Sequence, residues 1–418
     1  MSFPPPDAAL ARHARAALDD LLRFGAPADQ TLSRYFRSHR ELGQKARAFI
    51  AEASFAVLRR RRSLAAAAGS EEPQALLIAA LLRVLGFSGR ALEGLADPEL
   101  VRRIRAAPSD ALPDAVRADL PDWLWQRLEA EQGRDEAMRI AQGLLNPAPL
   151  DLRVNLARAS REEVLARFAH DGIEAAPTPY SPAGVRLAGK PAINQHALFR
   201  DGLIEVQDEG SQLLAYLLAP RRGEMIADYC AGAGGKTLAL AMLMRGAGRV
   251  YAMDVSAKRL AALAPRAARA QVNNIHSIAL AGDNDARAKR LAGKLERVLV
   301  DAPCSGFGTL RRNPDLKWRH GPGAIDELAQ KQRGILEAAA RLVKPGGRLL
   351  YATCSVLREE NEGIAEAFQA AHAEFRPLSC ASLLSAQKIA LPGGERLRLW
   401  SHIHGTDGFF AAAFERSS

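Results

Sequence analysis

Two cysteines stand at the ends of two hydrophobic runs that read as β-strands. Val298–Asp301 leads into Ala302-Pro303-Cys304-Ser305-Gly306, and Arg348–Ala352 leads through Thr353 into Cys354-Ser355. A third run, Met225–Asp228, opens into Tyr229-Cys230-Ala231-Gly232-Ala233-Gly234-Gly235-Lys236. Strands that alternate with helical segments build an open, largely parallel sheet, and such a sheet collects its ligands at the carboxyl ends of its strands. The spacing therefore predicts that both thiols and the glycine loop share one rim. An isolated cysteine is usually a small buried hydrophobe. Two on one rim, one of them beside Asp301 and Pro303, shift the reading towards chemistry. Cys380 keeps the structural reading, and of Cys230 only the backbone is required.

A thiolate beside a methyl donor answers a specific chemical problem. Carbon 5 of a pyrimidine is a poor nucleophile, but adding a thiolate to carbon 6 makes the ring enamine-like, so that carbon 5 can attack a methyl-sulfonium. Only a few per cent of a free thiol is ionised near neutral pH, yet that form is strongly nucleophilic. An acid hydrogen-bonded to the ring nitrogen would spread the charge formed on addition. A base must then remove the carbon-5 proton so that the first thiol can leave, a step that suits a second cysteine.

The glycine loop admits two cofactors. Without Cβ atoms, Gly232, Gly234 and Gly235 can bring backbone amides close to a ligand beside the positive end of the helix that begins near Lys236. Gly235-Lys236-Thr237 fits the end of a Walker loop, and Val298–Asp301 imitates its magnesium-holding strand, but the position five before Gly235 is Cys230 rather than glycine. The other reading is S-adenosylmethionine. Asp254 ends the next strand at about the ~20-residue offset where an acid meets a ribose, and Gly282-Asp283 ends the strand after it. A dinucleotide or a purely structural loop stays open, and either Asp alone is as well explained as a turn or helix cap.

These residues need a scaffold, and the chain is long enough for several domains. Its 418 residues are 48% hydrophobic and 25% charged, which excludes a disordered or fibrous protein. The most apolar run, Leu76–Leu82, is interrupted by Arg83, short of the ~18 residues a membrane span needs. The start lacks a secretory apolar core. Four cysteines, none in a CxxC pair, form neither a disulfide scaffold nor a zinc knuckle, so a cytoplasmic protein with free thiols is expected. The histidines show no ligand spacing, so no metal is expected. The formal charge of +10, rich in Arg, suits an anionic partner such as nucleic acid, although a solvated surface would look the same.

Up to about residue 140 the chain reads as helices. Ile50, Ala53, Val57 and Leu58 mark one buried face within Glu41–Arg60, a second helix covers Ala75–Val84, and Trp123–Leu128 lies in a third. Arg59–Arg62 falls at a helix end, either solvated or touching phosphate. From Leu150 a small α+β unit follows: LDLRVN as a strand, then a helix over Ser160–His170 capped by Ser160. After Ser211 come the strands Met225–Asp228, Arg249–Asp254, Ser277–Leu280, Val298–Asp301 and Arg348–Ala352.

The ordered motifs DAPCSGFGTLRRNPDLKW, YATCS and HGTDGFFAAAF resemble those of the RsmB/NOP-type RNA cytosine-5 methyltransferases, over the whole region from about Asp208 (VQDEGSQL) to the C-terminus. The stretch FRSHRELGQKARAFIAEASFAVLRR is similar to the NusB-like RNA-binding domain that bacterial members carry, and the middle unit to their RRM-like module. The resemblance implies an α/β fold: a doubly wound Rossmann-like class I methyltransferase domain over residues 211–418. A small α+β RRM-like module over 141–210 and an all-α domain over 1–140 would precede it. It implies S-adenosyl-L-methionine as cofactor, RNA as partner (16S ribosomal RNA), no membrane, and a monomer. Carried over by motif, Cys354 is the attacking nucleophile, Cys304 assists product release, and Asp301 contacts the ring nitrogen. The loop Cys230, Ala231, Gly232, Ala233, Gly234, Gly235 and Lys236, with Asp254, Asp283 and Asp301, forms the cofactor site, and Lys236 also faces the reaction centre. The family loop commonly reads CAAPGGKT, so Gly232 and Ala233 replace Ala-Pro here and remove a fixed dihedral. The Thr-Cys motif separates the RNA branch from DNA enzymes, whose Pro-Cys thiol is itself the nucleophile.

Around the rim, Phe307, Trp318, Phe409 and Phe410 could stack a flipped-out base, although each taken singly reads first as a core residue. Arg311, Arg312, Lys317 and Arg319 are expected to meet phosphate, while Asn361-Glu362 falls in the next helix with a structural role. Two rivals remain: a P-loop RNA-dependent ATPase, disfavoured by the missing first glycine, and an RNA-binding assembly factor with an inactive domain, disfavoured by the intact thiols.

Overall fold

The computed structural model describes residues 3–108, 111–282 and 285–417. The chain folds as two compact units: Met1–Pro147 with Thr309–Pro322, and Ala148–Gly308 with Gly323–Ser418.

The first unit is built from helices, chiefly Ala8–Leu21, Ala28–Ser38, Gln44–Ala68, Pro73–Arg83, Pro98–Ala106, Asp122–Gln132 and Arg134–Leu145. Ile50, Ala53, Val57 and Leu58 are buried along the long helix, as their spacing predicts. That helix does not end at Arg60. It breaks there (φ −123°, ψ 30°) and runs on to Ala68, stopping at Gly69 in the left-handed region. Leu64, Ala67 and Ala68 continue the buried face and explain the extension. The arginine cluster thus lies inside the element and has partners in its own unit. Arg59 Nη2 donates to the Arg311 carbonyl (3.2 Å), Arg61 pairs with Glu71 (2.7 Å), and Arg62 with Asp122 (2.6 Å).

The segment Thr309–Pro322 corrects a second expectation. Lys317 Nζ donates to the Arg59 carbonyl, and Trp318 Nε1 to that of Leu58, both at 2.8 Å. Asp315 accepts from the Ala28 backbone (3.2 Å) and also holds Arg319 (3.4 Å). Lys317 is 2% exposed, and burial pushes its pKa down to about 7. Arg311 is buried as well. The basic stretch after Cys304 is therefore mostly packing inside the helical unit rather than a row of phosphate contacts, and Trp318 is a hydrogen-bonded packing residue rather than a stacking platform.

The second unit begins with a four-stranded antiparallel sheet, β1 (Leu150–Val154), β2 (Ala175–Pro177), β3 (Gly184–Leu187) and β4 (Ile204–Val206), in the order β2-β3-β1-β4. The helix Arg161–His170 crosses it, started by a capping box between Ser160 and Glu163, and Val164 and Phe168 pack on Leu152, Val154 and Val185.

The larger sheet has eight strands. Five are mutually parallel: β5 (Met225–Asp228), β6 (Arg249–Asp254), β7 (Ile275–Ala279), β8 (Leu295–Asp301) and β9 (Val343–Thr353). Three more, β10 (Phe375–Leu378), β11 (Leu397–Leu399) and β12 (Phe409–Arg416), add antiparallel pairing at one edge and lie beyond the five expected. The order β10-β12-β9-β8-β5-β6-β7 reverses direction at β5, which opens a crevice beyond the carboxyl ends of β5 and β8. Both faces are covered. Along β8, Val298 and Val300 join one core with Leu336 and Ala339, while Leu299 joins the other with Leu213 and Leu217. No helix among the described residues is long and apolar enough to cross a membrane.

Candidate active site

The glycine loop leaves β5 and turns back at once into the helix Gly235–Leu243. Gly232 (φ 54°) and Gly234 (φ 85°) hold left-handed backbone, and a Cβ on either would overlap a side chain, Arg259 at Gly232 and Leu263 at Gly234. Three loop amides are consumed internally. The N–H of Ala231 donates to Met253 O (2.9 Å), that of Gly232 to Asp254 Oδ2 (2.8 Å), and that of Gly234 to Ala231 O (2.8 Å). These three are occupied within the fold, contrary to the expectation for the loop as a whole, whereas the first helical turn from Gly235 has no intrahelical acceptors for its amides. Asp254 accepts from Ser256 N–H as well (2.7 Å), so it sets the loop and borders the cavity at once. The small sheet supports the loop from behind, where Arg153 Nη1 donates to the Gly235 carbonyl (2.8 Å).

A cavity of about 410 Å³ lies at the strand ends, within the range of small-molecule sites. Cys230, Asp254, Asp301, Cys304 and Cys354 all line it, joined by Tyr229, Ser256, Arg259 and Lys331. The two Sγ atoms of Cys304 and Cys354 are 3.4 Å apart. The hydrogen bond with Cys354 and burial push the Cys304 thiol well above its ordinary value, and the charges of Cys354 and Glu360 add to this. Burial likewise pushes Cys230 up.

Asp301 closes β8 and receives Lys236 Nζ at 2.6 Å. Burial disfavours the ammonium, but Asp301's charge and hydrogen bond outweigh it and hold the Lys236 pKa above the usual lysine value. Beneath them, at the end of β5, Asp228 is 1% exposed. Thr237 Oγ1 donates to its Oδ2 (2.7 Å), while Oδ1 has no partner. Burial drives its pKa up to about 7 despite the threonine, with the charges of Asp301 and Asp254 adding.

A model for "16S rRNA methyltransferase RsmB/F" matches residues 215–415, and one for an "RsmF/B-like, ferredoxin-like domain" matches residues 120–194. A Sodalis glossinidius protein named ribosomal RNA small subunit methyltransferase B is 36% identical over 345 residues, 81% of this chain and 76% of that protein. The Yersinia pseudotuberculosis protein of the same name is 35% identical over 326 residues, 77% of this chain and 72% of its own. A crystal structure described as PH0851 superposes over 100% of both chains with a TM-score of 0.81 at 27% identity. The chain belongs to the RsmB/F methyltransferase family. The stretch matched by the ferredoxin-like model contains β1, β2 and β3 of the small sheet.

Within this methyltransferase, the structure gathers five of the expected site residues at one cavity, Cys230, Asp254, Asp301, Cys304 and Cys354, and ties Lys236 to Asp301. Ala231, Gly232, Ala233, Gly234 and Gly235 form the supporting turn, with Ala231 and Gly232 buried. Asp283 lies outside the described residues. The core reading of these aromatic residues holds and stacking does not: Phe307 and Phe410 are fully buried and Phe409 is 5% exposed, because β12 is an interior strand and Phe307 packs within the fold. Phe409 instead lies 5.5 Å from Lys236 Nζ.

Four residues escaped the sequence reading: Asp228, Arg259, Lys331 and Glu360. A signal existed for two of them. Asp228 ends a strand immediately before the loop, and Glu360 follows Cys354 closely; Arg259 and Lys331 carry no local mark. His13, His39 and Glu41 bring ligand atoms within 4.8 Å of one another in the helical unit, a closeness that spacing along the chain did not reveal. Tyr35 accounts for it as packing, since its ring stacks on His39 (4.2 Å) and its hydroxyl meets His13 Nδ1 (2.9 Å).

Proposed function

We propose that this enzyme transfers a methyl group from S-adenosyl-L-methionine to carbon 5 of a cytosine in 16S ribosomal RNA, through a covalent cysteine–pyrimidine adduct. The observation that carries the reading is the 3.4 Å pair of Cys304 and Cys354 on the wall of one cavity with Asp301. The residues present suit the cofactor. The cavity is bordered by carboxylates, Asp254 and Asp301, as a sulfonium bearing an amine favours and a polyphosphate does not. When bound, S-adenosylmethionine supplies an electrophilic methyl group.

In this mechanism Cys354, as thiolate, bonds to carbon 6 of the base. Negative charge moves to the ring nitrogen, which takes a proton relayed from Lys236 through the Asp301 carboxyl and returns it to that pair when Cys354 departs. Carbon 5 becomes nucleophilic and takes the methyl group. Two thiols this close do not both ionise readily. Once Cys354 is bonded to the ring its charge is gone, Cys304 gives its proton to solvent, and the resulting thiolate receives the carbon-5 proton. The carbon–sulfur bond then breaks and Cys354 departs as thiolate. A base inside a duplex cannot reach both thiols, so the target is flipped out or single-stranded. Residues 1–140, similar to a NusB-like domain, and the 141–210 module are proposed to hold the RNA for the catalytic segment 211–418.

The test is methyl transfer in vitro to 16S ribosomal RNA with labelled cofactor, followed by mapping of the modified base. The reading expects 5-methylcytosine that is absent from RNA never exposed to the enzyme. Label recovered on ribose or on an exocyclic nitrogen would overturn it.

A further inference from the structure

Each thiol is followed by a serine, Ser305 after Cys304 and Ser355 after Cys354, and both serines are 1% exposed. Their hydroxyls, 3.2 Å apart, converge on one carboxylate. Ser305 Oγ donates to Glu360 Oε2 at 2.5 Å and its backbone N–H to Oε1 at 2.8 Å, while Ser355 Oγ also donates to Oε2. Gln332 Nε2 donates to Oε1 (3.1 Å) and to the carbonyl of Pro303 (2.9 Å), and Tyr351 Oη donates to the Glu360 carbonyl (2.6 Å). Glu360 is wholly buried, and among the described residues no cation pairs with it. Four donors satisfy its carboxylate in place of a counter-charge. Apolar packing would serve stability as well as this, and it would not join the two cysteine loops.

The charges around the thiols are uneven. Glu360 acts on Cys304, whereas the Lys236 ammonium interacts with Cys354. The other titratable groups facing Cys304 are Cys354 itself, Tyr351, and, around the cavity, Cys230, Asp254, Arg259, Asp301 and Lys331. Burial pushes Tyr351 and Cys230 well up, so both stay neutral. Lys331 and Arg259 are opposite in sign to Asp301 and Asp254.

We propose that Glu360 is a positioning residue of the reaction: it clamps the Cys304 and Cys354 loops at one separation, and its uncompensated charge directs the first thiolate to Cys354. The proposal rests on the two-thiol reading above. The same charge makes Cys304 the stronger base once Cys354 is bonded to the ring, which is when its proton acceptance is needed.

The experiment follows alkylation of Cys304 by iodoacetamide between pH 6 and 10 in the full chain carrying Cys354→Ser, read by mass spectrometry. It needs no methyl transfer, so its failure is separable from failure of the functional reading. Glu360→Gln keeps the side chain's size and removes the charge. It should move the midpoint of Cys304 reactivity down by about one pH unit, about tenfold faster alkylation at a fixed pH below the midpoint. Glu360→Asp, which keeps the charge and loses reach, should shift the midpoint by less than half as much while lowering the melting temperature. A folded Glu360→Gln protein whose profile coincides with its parent, or equal shifts for Gln and Asp, would overturn the proposal.

Discussion

Replacing Asp228 by Asn should make the enzyme more stable at neutral and alkaline pH and not at acid pH. The carboxyl is 1% exposed, receives one hydrogen bond from Thr237, and leaves Oδ1 without a partner. Its pKa is near 7 in the folded chain against an ordinary 3.8. The folded state therefore binds a proton that the unfolded state has already lost. Stability from this group is fully present below pH 4 and is lost as pH rises through 7. At about 1.4 kcal/mol per pH unit over the two units from pH 5 to 7, about 3 kcal/mol disappears. Above pH 8 the loss is complete and the curve levels. Asparagine keeps the bond from Thr237 and has no charge to bury. Urea denaturation of both proteins at pH 5, 6, 7 and 8 reads the effect, because titrations not coupled to Asp228 cancel in the difference. The advantage of Asp228→Asn should grow by about 3 kcal/mol from pH 5 to 8. A difference that stays constant over that range would refute the reasoning, since the carboxyl would then ionise as freely folded as unfolded.

Gly234→Ala places an L-residue at φ 85° and drives its Cβ into Leu263. The backbone part alone costs about 1–2 kcal/mol; calorimetry should find weaker S-adenosylmethionine binding, partly restored when Leu263→Ala is added, whereas unchanged binding would count against a rigid loop. Lys317→Met should leave affinity for 16S ribosomal RNA within twofold in filter binding, because the ammonium is buried against Arg59 and not offered to phosphate. Its pKa near 7 lies below the ordinary lysine value, so the wild-type helical unit loses stability as pH falls from 9 to 6, and Lys317→Met should lack that loss in thermal melts.

The catalytic half was legible because a parallel sheet covered on both faces turns its strands into continuous apolar runs, such as Val298–Val300, that end abruptly where polar chemistry starts. The thiol pair followed from two such ends. The antiparallel strands were not legible: β10 and β11 are short, and the alanines Ala411–Ala413 in β12 have no strand signature. Nor could local pattern show that Lys317 is buried, since a basic cluster reads the same whether its partner is phosphate or a helix carbonyl such as that of Arg59. The loop amides looked available because their acceptors, Met253 O and Asp254, come from the neighbouring strand β6. Glu360 was missed because its role depends on donors from Ser305, Ser355 and Gln332, which tertiary packing alone brings together.

The most direct test asks which thiol bonds to the base. Cys304→Ala and Cys354→Ala enzymes are incubated with 16S ribosomal RNA and S-adenosylmethionine, and covalent protein–RNA complexes are resolved on a denaturing gel. Cys304→Ala should accumulate an adduct bearing a methylated base, because Cys354 adds and the release step fails, while Cys354→Ala should form none. Adduct in Cys354→Ala, or its absence from both variants, would contradict the two-thiol mechanism.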